Sequence, residues 1–80
     1  MMPLSVGEIA AVQNQVRQVG ADKAMSLVRG DAAMTPESII AVAQMPELGH
    51  ETRLSLVREA YRRRVEPARE RFLAALGGET

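Results

Sequence analysis

The sequence predicts an all-α protein, a small bundle of three to four helices that ends in a long C-terminal helix. Three observations lead to this fold class. Apolar residues recur three and four positions apart in several segments, signals that start and stop helices separate those segments, and no stretch alternates apolar and polar residues as a strand does. A length of 80 residues corresponds to one domain. We therefore expect a single helical domain over residues 1–80.

The first helix is predicted over residues 6–19. Ser5 and Glu8 have the spacing of a capping box, in which each side chain accepts a hydrogen bond from the other residue's free backbone N–H. Gly20 follows the last apolar position, where glycine readily adopts the backbone conformations that end helices. The apolar stripe of this helix consists of Ile9, Val12, Val16 and Val19.

Two shorter helices are predicted next, over residues 22–29 and 36–45. Asp22 is the expected cap of the second helix. The third has the clearest start signal in the chain, with Thr35 as the cap and Pro36 at the first helical position, where the missing N–H of proline costs nothing. These signals complete the short helices that precede the C-terminal one.

The fourth helix is predicted over residues 51–76 and carries the strongest periodic pattern in the chain. Its apolar residues stay within about 50° of one direction on a helical wheel at 100° per residue. They are Leu54, Val57, Tyr61, Val65, Ala68, Phe72 and Leu76. Pro67 interrupts the pattern of hydrogen bonds, so the helix either kinks there or restarts. We expect a kink, because the apolar stripe keeps its phase on both sides.

Seven arginines belong to this last segment, and six of them border the apolar stripe on its two margins, as flanking charges do in a coiled coil. Arg63 alone departs from the scheme, and the glutamates fall on the opposite side, which we expect to face solvent. The stripe and its margins therefore predict an interface, either inside the fold or with a partner. The predicted partner-binding residues are Leu54, Val57, Arg58, Tyr61, Arg62, Arg64, Val65, Arg69 and Phe72.

Catalytic and cofactor chemistry find little support in the sequence. The chain has no cysteine and a single histidine, His50, which we expect to be a cap or an exposed loop residue. No glycine-rich loop follows a strand, and no histidine pair has the spacing of zinc ligands. We expect no enzyme, no catalytic residue, no metal, no cofactor and no small-molecule substrate.

Charge and composition favour a protein partner. The formal net charge is zero, with ten basic and ten acidic residues, far from the basic balance of most nucleic-acid-binding domains. We expect a helical interaction or adaptor module whose partner is a second copy of the chain, an acidic protein, or both. A small nucleic-acid-binding regulator that uses the C-terminal arginines is the alternative.

The N-terminal segment bears on localisation. It has neither a positively charged start nor an apolar run typical of a signal peptide or a membrane span. We therefore expect a cytoplasmic protein that does not enter the membrane.

Overall fold

The computed structural model describes residues 4–78, and within that range every regular element is a helix. The all-α class is therefore confirmed, while the ends of the expected domain, residues 1–3 and 79–80, lie outside the described residues. The elements in chain order are α1 (Val6–Val19), a 3-10 helix (Ala21–Lys23), α2 (Ala24–Gly30), α3 (Pro36–Ala43) and α4 (His50–Gly78).

Helix α1 has the start and the end that its sequence signals predict. The capping box is formed in full: the Ser5 hydroxyl accepts a hydrogen bond from the Glu8 N–H, and the Glu8 carboxylate accepts one from the Ser5 N–H. Gly20 ends the helix with φ at 110°, a conformation that strains any residue with a Cβ. The chain therefore turns sharply at Gly20 into the short 3-10 helix.

Of the two caps predicted for the short helices, the one at Thr35 is confirmed and the one at Asp22 is wrong. Thr35 accepts a hydrogen bond from the Ser38 N–H, and Pro36 opens α3 as expected. Asp22 does not cap α2, because it lies within the 3-10 helix, and the residue at the cap position is Lys23, whose side chain makes no capping hydrogen bond. The segment after Gly20 thus winds more tightly at first than the predicted α-helix.

The core lies where α3 packs between α1 and α4. Helix α3 contributes more buried residues than any other element, because Ile39, Val42 and two alanines of this short helix are all buried. The loop after α3 adds Met45 and Leu48, which fill the space at the end of the bundle. The buried apolar side chains are Val16, Ala24, Val28, Met34, Ile39, Ala41, Val42, Ala43, Met45, Leu48, Leu56 and Ala60.

Helix α4 is the longest element and continues through Pro67 without a break. The predicted alternative in which the helix restarts at this proline is therefore wrong. Its 29 residues span about 44 Å at 1.5 Å per residue, which accounts for most of the 50 Å long dimension of the molecule. Every residue over 67–77 is exposed, so the C-terminal third of α4 projects beyond the other helices.

The face by which α4 packs is opposite to its apolar stripe, so the stripe does not form the interface inside the fold that was one of the two expectations. Leu56 and Ala60 are buried, and Glu59 and Arg63 are half-buried beside them. Leu54 lies about 200° round the helix from Leu56, at 100° per residue, and it is exposed. The expectation that the side bearing the glutamates faces solvent is wrong for the first half of α4, because α2 and α3 cover that side.

Candidate functional site

The apolar stripe of α4 lies on the surface of the fold. Its residues point away from the other helices along the length of α4, and we call them the outer face. Their exposed fractions include 69% at Tyr61 and 66% at Phe72, where a packed aromatic side chain would be almost fully covered. The outer face consists of Leu54, Val57, Tyr61, Val65, Ala68, Phe72 and Leu76, all of them exposed.

Arg63 explains how α4 can pack through its more polar side. Its Nη2 donates a hydrogen bond of 2.7 Å to the Val28 carbonyl, and its Nη1 donates bonds of 2.8 and 3.0 Å to the carbonyls of Asp31 and Met34. These acceptors lie in the last turn of α2 and in the loop after it, and the Val28 and Asp31 carbonyls also accept backbone hydrogen bonds from the N–H groups of Asp31 and Met34. The guanidinium therefore caps α2 and attaches it to α4, which is the role of the one arginine that departed from the predicted margins.

Glu59 completes this half-buried polar contact. Its Oε2 lies 2.8 Å from Nε of Arg63, and the two side chains are only 14% and 12% exposed. Hydrogen bonds from Arg62 and then from Arg63 lower the pKa of the Glu59 carboxyl below its usual range. The carboxylate therefore stays ionised at neutral pH and balances the positive charge that would otherwise be buried alone.

The arginines of the predicted site fall into two groups. Arg62 forms ion pairs with Glu59 and Glu66 on α4 itself, and Arg64 pairs with Glu37 of α3 at 2.8 Å. For the other two, Arg58 and Arg69, no carboxylate of residues 4–78 lies within ion-pair distance, and the same holds for Arg71, a margin arginine outside the predicted site. The second group borders the outer face with its charge uncompensated by the fold.

Arg53 behaves like Arg63 at the other end of the bundle. Its Nε donates a hydrogen bond of 2.8 Å to the Ala43 carbonyl at the end of α3. The sequence placed Arg53 on a margin of the apolar stripe, whereas the structure uses it to satisfy a helix terminus. Some arginines of α4 therefore hold the helices together through hydrogen bonds to backbone carbonyls, and others lie exposed beside the outer face.

A groove of about 170 Å³ runs between α3 and α4 beside the outer face. Two of its walls come from residues that the sequence did not assign to the site, Pro36 and Ile40 of α3. The sequence offers no signal for Ile40, because its position on α3 also suits the core-facing side, and the side chain does pack partly against the core. The residues lining the groove are Pro36, Ile40, Val57, Ala60, Tyr61 and Arg64.

The described residues contain neither a candidate metal site nor a helix that could span a membrane. No cluster of three or more histidine, cysteine or carboxylate side chains is arranged to bind a metal ion within residues 4–78. Over the same residues, each helix is either too short or too polar to cross a membrane.

The chain has no match among known proteins. No family model matches it, and comparison with curated proteins and with solved structures gave no match either. The proposals below therefore rest on the residues themselves.

Proposed function

We propose that this protein is a helical protein-protein interaction module that binds its partner through the outer face of α4. The observation that carries the proposal is the exposure of Tyr61 and Phe72, together with the aliphatic residues in phase with them, on one side of a rigid helix. The proposal assigns the chain a binding role and no chemical reaction.

A continuous row of exposed apolar side chains is a source of binding free energy when a partner covers it. Single exposed apolar residues are common on protein surfaces, but contiguous rows rimmed by polar residues mark interaction sites. Each large side chain that a partner covers contributes in proportion to its buried apolar area, at about 25 cal/mol per Å². Tyrosine at the centre of the row is among the residue types that dominate binding energy at interfaces. Val57 and Val65 lie one turn on either side of Tyr61 and extend the row.

We expect a photoreactive group in place of Tyr61 to cross-link the protein to its partner. The variant carries p-benzoylphenylalanine at this position and is expressed in the cells that contain the protein natively. Because the tyrosine ring is mostly exposed at the centre of the outer face, the replacement fits the fold and lies within reach of any partner that covers the face. Gel electrophoresis after irradiation should show discrete covalent adducts.

Two controls make this experiment specific to the outer face. The same group at Gln15, an exposed position on α1, should give none of these adducts. Adding Val57→Glu and Val65→Glu to the Tyr61 variant should remove them, because charges in the row oppose its burial. Identical adducts from both positions, or no adduct from Tyr61, would contradict the proposed function.

The nucleic-acid alternative has one observation in its favour and one against it. Arg58, Arg69 and Arg71 form no ion pair within residues 4–78 and can neutralise phosphates. The apolar row between them, with Phe72 mostly exposed, has no counterpart on a phosphate backbone. A protein surface, which offers apolar side chains of its own, is therefore the better partner for this exposed row.

A mobility-shift experiment distinguishes a protein partner from a nucleic-acid partner for these arginines. We expect no shift of a duplex DNA probe at low salt by the wild-type protein. A shift whose affinity falls steeply with added salt, and that is lost in Arg58→Glu with Arg69→Glu, would instead establish the nucleic-acid alternative.

A further inference from the structure

The charges around the outer face indicate what kind of protein binds it. From Val57 to Leu76 both margins of the face carry arginines, and the glutamates of this stretch lie toward the other side of the helix. Two of these glutamates, Glu59 and Glu66, are already paired with arginines of α4. Arg58, Arg69 and Arg71 on these margins have no ion pair with a carboxylate of residues 4–78, so a partner with negative charge can balance them.

A second copy of this chain balances that charge poorly. Pairing two outer faces brings the arginine margins of one copy against those of the other, whether the helices run parallel or antiparallel, because both margins have the same sign. Within the described part of α4, the one carboxylate on a margin is that of Glu51, at the N-terminal end of the helix and outside the arginine stretch. Like charges opposed across an interface oppose association and select against the wrong partner.

An acidic helix balances it well. The stretch from Val57 to Leu76 is about 30 Å long at 1.5 Å per residue, which accommodates some three heptads of a partner helix. Apolar side chains of that helix would cover the row, and its flanking carboxylates would meet Arg58, Arg69 and Arg71. This is the helix-in-groove mode of recognition, with apolar anchors spaced at helical intervals.

The groove between α3 and α4 supplies an anchor point for such a helix. Its volume of about 170 Å³ is close to the roughly 150 Å³ of an apolar cavity that accommodates benzene, so one aromatic or aliphatic side chain fits it. Val57 and Tyr61 belong to both the groove and the outer face, so a helix lying on the face passes over the groove. Ile40 forms the far wall.

We infer that the occupant of the outer face is an amphipathic helix of a different protein, with acidic flanks and one apolar side chain seated in the groove formed by Ile40, Val57 and Tyr61. This inference rests on the proposed function and adds the chemistry of the partner to it. Affinity comes from the apolar row, while the arginines determine which helices are accepted.

The test uses two fluorescent helical peptides of about 21 residues with identical leucine seams and with either glutamate or lysine on both flanks. Fluorescence anisotropy with the full chain should show the glutamate peptide binding at least about tenfold more tightly. Added salt should reduce the difference, because exposed charges are screened. Val57→Glu should abolish binding, since it places a charge between the row and the groove.

Matched charge-reversal variants test whether the arginines cause the preference for the glutamate peptide. The double variant Arg58→Glu with Arg69→Glu should reverse the preference in favour of the lysine peptide. The double variant Lys23→Glu with Arg29→Glu changes the net charge equally on elements outside the outer face and should leave the preference unchanged. Equal reversal by both variants would show that net charge alone decides, and would overturn the inference.

Other outcomes separate the inference from the proposed function. Cross-links from Tyr61 solely to a second copy of the chain, or equal binding of both peptides, would overturn the acidic partner while leaving an interaction module. Binding of neither peptide, combined with arginine-dependent sedimentation on phosphatidylserine vesicles, would overturn it in favour of a lipid surface. The absence of cross-links together with binding of neither peptide would overturn both.

Discussion

Replacing Arg63 with alanine is expected to destabilise the fold by roughly 1 to 3 kcal/mol. The substitution removes three hydrogen bonds to carbonyls of α2 and its following loop, and it leaves the half-buried carboxylate of Glu59 with one guanidinium fewer. A domain of this size has a free energy of unfolding of about 4 to 12 kcal/mol. Urea denaturation followed by circular dichroism should therefore show the loss of a large share of the stability.

Arg58→Ala is the matched control for this prediction. It removes the same side chain from the same helix at an exposed position where no ion pair lies within the described residues, and it should change the free energy of unfolding by less than about 0.5 kcal/mol. Arg63→Lys should remain well below wild type, because an ammonium group cannot reproduce the planar fork that reaches several acceptors. Equal stability of the two alanine variants would contradict the capping role of Arg63.

Leu56→Ala is expected to cost roughly 2 to 5 kcal/mol, because it opens a cavity in the core. Leu54→Ala, the same substitution two residues earlier, should cost less than about 0.5 kcal/mol. Leu56 is fully buried, whereas Leu54 is 42% exposed. Thermal or urea unfolding at low protein concentration measures the two variants without a contribution from self-association.

This pair of variants tests the orientation of α4 directly. If the apolar stripe faced the core, Leu54→Ala would be the damaging change and Leu56→Ala the mild one. That reversed order would contradict the packing of α4 and would remove the outer face as a binding surface. Comparable losses for both variants would contradict it as well, since the two side chains lie on opposite sides of the helix.

Local signals in the sequence were enough for the helices and most of their ends. The capping box of Ser5 and Glu8, Gly20 as a helix stop and the start at Thr35 and Pro36 depend on residues within one turn of each other. Such interactions form in the same way in almost any tertiary context. The role of Asp22 was predicted wrongly because a 3-10 turn and an α-helical cap have closely similar sequence requirements.

The sequence by itself determined that the C-terminal helix has a coherent apolar stripe bordered by arginines, because periodicity needs no knowledge of neighbouring elements. It could not determine which side of that helix joins the bundle. Leu56 and Ala60 are too few to outweigh the longer apolar stripe on the other side of the helix. The stabilising role of Arg63 depends on carbonyls that lie more than 25 residues away in the chain. Only the tertiary structure places those acceptors beside the guanidinium, and the packing of that side of α4 against α2 and α3 leaves the apolar stripe exposed.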